Sequence, residues 1–347
     1  VLNPKVHGKI LTKMMCWNSL SKPQKKDLFP APPLFEQLSV PIAREQNDIL
    51  YQSIIDLQSS FLIIKAVGGT GKSITCNQLI DRFSDGSLAV AYDCFGIGGY
   101  RKLSERRHRA CDAYVQVANQ LAQQGLCEPM IPIKRDQDDK LTQAFLLRLS
   151  KAIEKLRERN KNALLVILFD AVDNAELAAR EFGDRCFASY LLRETLPEGC
   201  RIVYLSRPGE RIDLFNPPDS IPQVEIEPFS DTESLQLLQT KYPSALLEDA
   251  IEFRRLTDGN PRVQANALAL GKQSIEEVLA YLGTAGNTVD NLIEEQLKNA
   301  VIKVKALYPQ SFEEHVENIC TGLASLPPFV PIEVLAAVSG TDVAAVK

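Results

Sequence analysis

The sequence predicts an α/β fold, a parallel sheet flanked by helices and followed by a helical region. Three observations predict it. From Ser39 to Phe229 short apolar runs alternate with helical periods. One of those runs, Phe61 to Ala66, passes through a glycine-rich turn directly into a helix. After Phe229 the strand signals stop. At 347 residues the chain is longer than one ordinary core. The expected division is 1–38 as a linker or the end of an upstream domain, 39–229 as the sheet domain, 230–285 as a helical domain, and 286–347 as the start of another.

Residues 1–38 are linker-like, with Pro4, Pro23, Pro30, Pro32 and Pro33 beside Lys22, Lys25 and Lys26, and one short helix around 11–20. Phe61–Ala66 is β-branched, apolar and short, which predicts a buried strand; Lys72–Phe83 follows as a helix and Leu88–Tyr92 as a second strand. Helices are expected near Ala110–Gln124 and Leu141–Arg159. In the latter, Leu141, Phe145, Leu149, Ile153 and Leu156 fall on one face. Ala163–Phe169 reads as a central strand buried on both faces and ends at Asp170. A helix over Ala175–Leu196 and strands at Arg201–Leu205 and Val224–Ile226 complete the alternation. The helical remainder is punctuated by Pro243, Gly259, Pro261 and Gly271, with a second boundary near Gly283–Val289.

With 45% hydrophobic and 24% charged residues the composition is ordinary, and a net charge of −5 gives no global pull toward nucleic acid or anionic lipid. There is no run of 18 apolar residues and no signal-like start, so no membrane span is expected. Eight scattered cysteines without a CxxC pair fit reduced thiols and a cytoplasmic setting, with Cys76, Cys94 and Cys320 in apolar stretches that read as core. Three distant histidines give a zinc site little support. The chain opens on Val1 and stops just past Thr341–Asp342, a helix-capping pair, so it reads as a piece of a longer protein.

Ala66-Val67-Gly68-Gly69-Thr70-Gly71-Lys72-Ser73 has the Walker A spacing between a strand and a helix, with Ala at the first position. Glycines let main-chain N–H groups wrap an anion, and the helix start points its positive end at it. Gly68, Gly69, Thr70, Gly71, Lys72, Ser73 and Ile74 are therefore the expected ATP/ADP-binding segment. Lys72 reaches the outer phosphates, and the Ser73 hydroxyl is a ligand for Mg²⁺. Asp170, at the carboxyl end of its strand, is the second Mg²⁺ residue, and Asp173 is a candidate to orient the attacking water. Ala171 stands where an adjacent acidic base would be, which predicts slow hydrolysis. Arg207, at the tip of the next strand, is placed to sense the γ-phosphate. Gly259-Asn260-Pro261 is a helix stop followed by Pro at a first helical position. The basic run Arg101, Lys102, Arg106, Arg107, His108, Arg109 reads as a solvated helix start, with a contact to a neighbouring protomer as the alternative.

Together these segments, from Val40 to the end, resemble the STAND class of P-loop NTPases, especially its NACHT branch. Ala43-Arg44-Glu45 resembles the Arg-Glu signature of that class, with Val40 and Ile42 against adenine and Arg44 at the nucleotide. Phe169-Asp170-Ala171-Val172-Asp173 is similar to its Walker B, with Asn174 where an acidic residue is common. Leu205-Ser206-Arg207-Pro208 is similar to its sensor strand, and Gly259-Asn260-Pro261 to its GxP turn, where Pro261 would meet the adenine side and latch the helical domain. Cys320–Val346 resembles the beginning of its winged-helix domain, here cut off. Asp93-Cys94-Phe95-Gly96 with Gly98-Gly99-Tyr100-Arg101 further resembles bacterial antiviral (Avs-type) members.

The resemblance implies that the Arg201 strand lies between the P-loop strand and the Asp170 strand. It also implies a nucleotide switch in antiphage defence: exchange of ADP for ATP rotates domains and drives self-association into a homo-oligomer. The trigger ligand, such as a phage protein, and the effector would lie outside this chain, with no membrane partner and no nucleic acid indicated within it. A STAND-class transcription regulator and a P-loop kinase or transferase are the alternatives.

Overall fold

A computed structural model describes residues 5–6, 9–10, 28–35, 42–102, 105–131, 138–284, 298, 300–326 and 332–346. The expected helix at 11–20, Val40 and the boundary at 285–289 lie outside them, as does the Pro327–Pro331 segment. A two-residue antiparallel pair, β1 (Lys5–Val6) with β2 (Lys9–Ile10), stands apart from the main sheet.

The main sheet has five parallel strands: β3 (Phe61–Lys65), β4 (Leu88–Asp93), β5 (Leu165–Asp170), β6 (Cys200–Ser206) and β7 (Gln223–Glu225). Their spatial order is β4-β5-β6-β3-β7. β6 thus lies between the P-loop strand β3 and the Asp170 strand β5, as the resemblance implied. The pleat sends alternate residues to opposite faces. Ile63, Ile167, Phe169, Ile202 and Tyr204 face one apolar layer, with α3 (Ala110–Gln123), α4 (Asp138–Arg159), α5 (Val172–Phe182) and α6 (Phe187–Leu191). Leu62, Ile64, Val166, Leu168, Val203 and Leu205 face the other, with α1 (Gln46–Ile55) and α2 (Lys72–Ile80). β5 is buried along its whole length, as its unbroken apolar run predicts.

The single helix expected over Ala175–Leu196 is two helices. Gly183 takes a left-handed φ of 66° and closes α5, the Asp184 N–H reaching back to the Ala179 carbonyl at 2.8 Å. Glycine in that conformation outweighs an otherwise helical period.

Beyond a short α7 (Glu210–Asp213), the chain becomes helical at α8 (Asp231–Gln239), α9 (Leu247–Leu256), α10 (Pro261–Ala269) and α11 (Ile275–Thr284). These four enclose a separate apolar core around Leu238, Ala250, Phe253, Ala267 and Val278. From residue 300 on, the described residues are mainly helical, and Gly322 of helix Phe312–Ser325 lies against Leu335 of helix Ile332–Ser339. Asp342 caps the last helix through the Ala345 N–H at 2.8 Å. Cys320, expected in a core, is exposed instead, because its helix turns Gly322 and not Cys320 toward its neighbour. No described helix is long and apolar enough to cross a membrane.

Candidate nucleotide site

The topology brings the carboxyl ends of β3, β4, β5 and β6 to one edge, where an α/β sheet places its ligands. There β3 gives way to the loop 66–71 and then to α2. Gly69 and Gly71 hold φ of 86° and 90°, which only glycine adopts without strain. The loop borders a cleft of about 690 Å³. Arg44, Gly69, Thr70, Gly71, Lys72, Ser73, Ile74 and Pro261 all line it; Gly68, Asp170, Asp173 and Arg207 are not among its lining residues. Ile42, Phe229, Leu237 and Ala265 supply its apolar wall.

Lys72 folds over the loop, its Nζ donating to the Ala66 carbonyl at 2.7 Å and the Val67 carbonyl at 3.0 Å. Burial lowers its pKa to about 8, and Asp173 and Asp170 oppose that shift. The Ser73 hydroxyl donates to Asp170 Oδ2 at 2.5 Å. Asp170 is 1% exposed, and its Oδ1 has no partner among the described residues. Burial pushes its pKa up to about 6, with Asp93 adding to the rise, while the Ser73 hydroxyl and Lys72 oppose it. A buried carboxylate oxygen left unpaired beside a serine hydroxyl and a lysine is a donor set suited to a hard divalent cation such as Mg²⁺. The left-handed glycines and the start of α2 likewise suit a polyphosphate.

Asp173 and Arg207, given separate roles by the sequence, form one ion pair. Arg207 Nε meets Asp173 Oδ2 at 2.9 Å, its second nitrogen donates to Asn174 Oδ1 at 2.7 Å, and Arg211 approaches the same carboxylate at 3.9 Å. The arrangement engages Asp173 in holding the guanidinium that ends β6.

Arg44 is 5% exposed and fully engaged. Its guanidinium donates to the Thr70 carbonyl of the loop at 2.9 Å, to the Glu227 carbonyl, and to Glu233 Oε1 of α8 at 3.1 Å. It thereby fastens the loop to the helical region.

At the Gly259–Pro261 turn the sequence foresaw Pro at the first position of α10 and did not assign Asn260 or Glu233 a role. Asn260 caps α10 by accepting from the Arg262 and Val263 N–H groups, and its amide donates to the Gly68 carbonyl at 3.0 Å. The Arg262 N–H also donates to the Gly69 carbonyl at 3.1 Å. Glu233 closes a capping box with Ser230. The S-x-x-E spacing and the Asn before Pro were legible as caps; nothing in them announced the phosphate loop as a partner.

The basic run is not a solvated helix start. Arg106, His108 and Arg109 converge on Asp184 at 2.7, 2.9 and 3.0 Å, and Arg101 pairs with Glu181 at 3.0 Å. Arg107 is buried, donating to the Asp93 carbonyl at 2.8 Å and the Pro32 carbonyl at 3.1 Å. Acceptors at the end of α5 and in the segment 28–35 were invisible from charge density alone.

Residues 46–207, the stretch from α1 to just past β6, match the family model described as Nephrocystin 3, N-terminal. Among solved structures, the Walker-type ATPase of Pyrococcus abyssi shares 14% identity at a TM-score of 0.50, over 90% of this chain and 91% of that one. The fold of this chain is that of a P-loop NTPase. Two other structures are similar to this module at lower scores. One is a STAND protein with a tetratricopeptide repeat sensor from Pyrococcus horikoshii, with 14% identity, a TM-score of 0.43, and coverage of 88% of this chain and 40% of that one. The other is the Aeropyrum pernix ORC1 protein in complex with DNA, with 12% identity, a TM-score of 0.38, and coverage of 86% and 78%. No curated protein matches the chain.

Proposed function

We propose that the module is an ATP- and ADP-binding, slowly hydrolysing switch, in which nucleotide exchange changes how the helical region sits on the sheet domain. One observation carries this reading: the phosphate loop, with Lys72, Ser73 and Asp170 assembled at it, is also the surface on which Asn260 and Arg262 of the helical region rest. A ligand that enters there is sensed by both regions. It shifts the balance of arrangements only by its difference in affinity for them.

When bound, Mg²⁺ would be held by Ser73 and, through water, by Asp170, and would supply charge neutralisation for the phosphates. Pro261, Ile42 and Phe229 suit the base, and Arg207, oriented by Asp173 and Asn174, suits the terminal phosphate. Slow turnover follows from Ala171 beside Asp170 and from the engagement of Asp173 by Arg207. The resemblance to Avs-type proteins supports a cytoplasmic antiphage setting, with ATP-driven homo-oligomerisation, residues 286–347 as the start of a winged-helix domain, and trigger and effector outside this chain.

Calorimetry of ADP and ATP with Mg²⁺ against wild type and Lys72→Ala tests the core of the reading. The variant should lose at least tenfold in affinity, roughly the worth of one hydrogen-bonded charge. Undiminished binding by Lys72→Ala would defeat the proposal.

A further inference from the structure

The segment 28–35 is linker-like in its proline content and irregular over 29–35, yet it is held closely. Its run Pro30-Ala31-Pro32-Pro33-Leu34 keeps only two main-chain N–H groups, since proline has none. Both are taken by side chains of the sheet domain. The Ala31 N–H donates to Gln116 Oε1 and the Leu34 N–H to Asp93 Oδ2, each at 3.1 Å. Two carbonyls are bound as well. Asn119 of α3 donates to the Leu28 carbonyl at 2.7 Å, and Arg107 to the Pro32 carbonyl at 3.1 Å. Asp93, Arg107, Gln116 and Asn119 are each at most 3% exposed.

The groove that receives the segment is itself shaped. A methyl on Gly96 would collide with the Arg107 guanidinium, so the glycine makes room for it, and Arg107 also donates to the Asp93 carbonyl at 2.8 Å. Asp93 ends β4 in register with Asp170 of β5. The segment joins the two apolar layers, with Ala31 buried in one and Phe35 packed against the other. Its end then reaches the cleft, where Leu34 and Phe35 stand with Asp93 among the lining residues.

We infer that residues 28–35 are a strap whose docking in this groove is coupled to the nucleotide: the docked strap completes the cleft beside β4, and bound nucleotide holds the strap down. The inference rests on the nucleotide-switch reading above and adds a responsive element apart from the helical region. A passive spacer has no use for buried side chains matched to the only two N–H groups that its prolines leave. Hydrogen bonds to main chain exchange for water at small net cost, and the prolines limit the freedom that the undocked segment gains, so docking is reversible. The coupling is reciprocal, and the factor by which nucleotide favours docking is the factor by which undocking weakens nucleotide. A pull on the chain ahead of Leu28 would then loosen the ligand.

Hydrogen exchange over residues 28–35 and calorimetry of ADP with Mg²⁺ test this in wild type, Gln116→Ala, Leu34→Pro, Leu34→Ala and Lys72→Ala. ADP should slow exchange at Ala31 and Leu34 of wild type by roughly fivefold or more, the lower end of ordinary coupling between sites. Gln116→Ala strips an acceptor from the groove. Leu34→Pro strips a donor from the strap and leaves every groove side chain in place. Each should quicken exchange in the rest of the strap and weaken ADP severalfold, whereas Leu34→Ala, which keeps the N–H, should bind ADP more tightly than Leu34→Pro. If ADP binds but leaves exchange at Ala31 and Leu34 unchanged, or if the strap loosens in both variants at wild-type affinity, the coupling is overturned and the switch reading stands. If Lys72→Ala binds ADP as wild type does, the underlying reading falls and takes the coupling with it.

Discussion

The two walls of the cleft are built by different means. The sheet wall is set between two apolar layers, and its strands are hydrogen-bonded along their lengths, β5 being buried on both faces. The helical wall has an apolar core of its own and meets the loop through a few polar contacts: Asn260 on Gly68, Arg262 on Gly69, and Arg44 bridging Thr70 to Glu233. Apolar burial has no direction and is costly to interrupt; a polar contact can be exchanged for water or for a ligand at small net cost. The difference teaches that the molecule keeps the geometry around Ser73 and Asp170 in the stiff wall and its exchangeable contacts in the polar seam.

The largest expected effect breaks the seam where it is driest. Arg44→Met leaves Glu233 charged and buried without its partner, and should cost on the order of 3 kcal/mol, as loss of one member of a buried pair does. Urea denaturation followed by circular dichroism reads this directly. A loss under about 1 kcal/mol, the worth of an exposed pair, would mean that the seam is not held there.

The stiff wall offers the opposite sign. The Asp170 carboxyl has a folded pKa of about 6, above its unfolded value of about 3.9, so the native state takes up a proton first. The relative stability it confers is complete below about pH 4 and is lost as pH rises through about 6, leaving a penalty at neutral pH. Asp170→Asn should therefore stabilise the nucleotide-free protein at pH 7.5 by about 2 kcal/mol, with the gain fading toward pH 4, while abolishing Mg²⁺-dependent nucleotide binding. A pH-independent difference between variant and wild type in urea melts would contradict it.

The smallest effect sharpens the comparison. Asn260→Ala removes a helix cap and a bond to Gly68 together, at a cost of about 1 kcal/mol. Hydrogen exchange should quicken in residues 66–71 and at the start of α10 and stay unchanged in β5. Equal quickening in β5 would show that the two walls do not differ in the way described.

The sequence was most legible where chemistry or period is local. A glycine turn between strand and helix, a buried run closed by Asp170, and the end of strand signals at Phe229 each occupy a short stretch, and each has its counterpart in the structure. What escaped depended on partners far along the chain. Arg207 and Asp173 are 34 positions apart, Asn260 and Gly68 are 192, and Arg44 and Glu233 are 189. Periodicity carries no trace of such pairings. The run from Arg101 to Arg109 misled for the same reason, since its acceptors Glu181 and Asp184 flank a glycine break that looked like continuous helix.

Glu233 has one further consequence. One oxygen closes the first turn of α8 by accepting from the Ser230 N–H at 2.9 Å; the other accepts from Arg44 and from the Glu45 N–H at 2.8 Å. Swinging α8 away would strand a buried charge, whereas the tip at Asn260 gives up only neutral bonds. The helical region thus has a fulcrum at Glu233 and a lightly held tip at the loop 66–71, and the span between the two sets how far a small change at the loop would be carried.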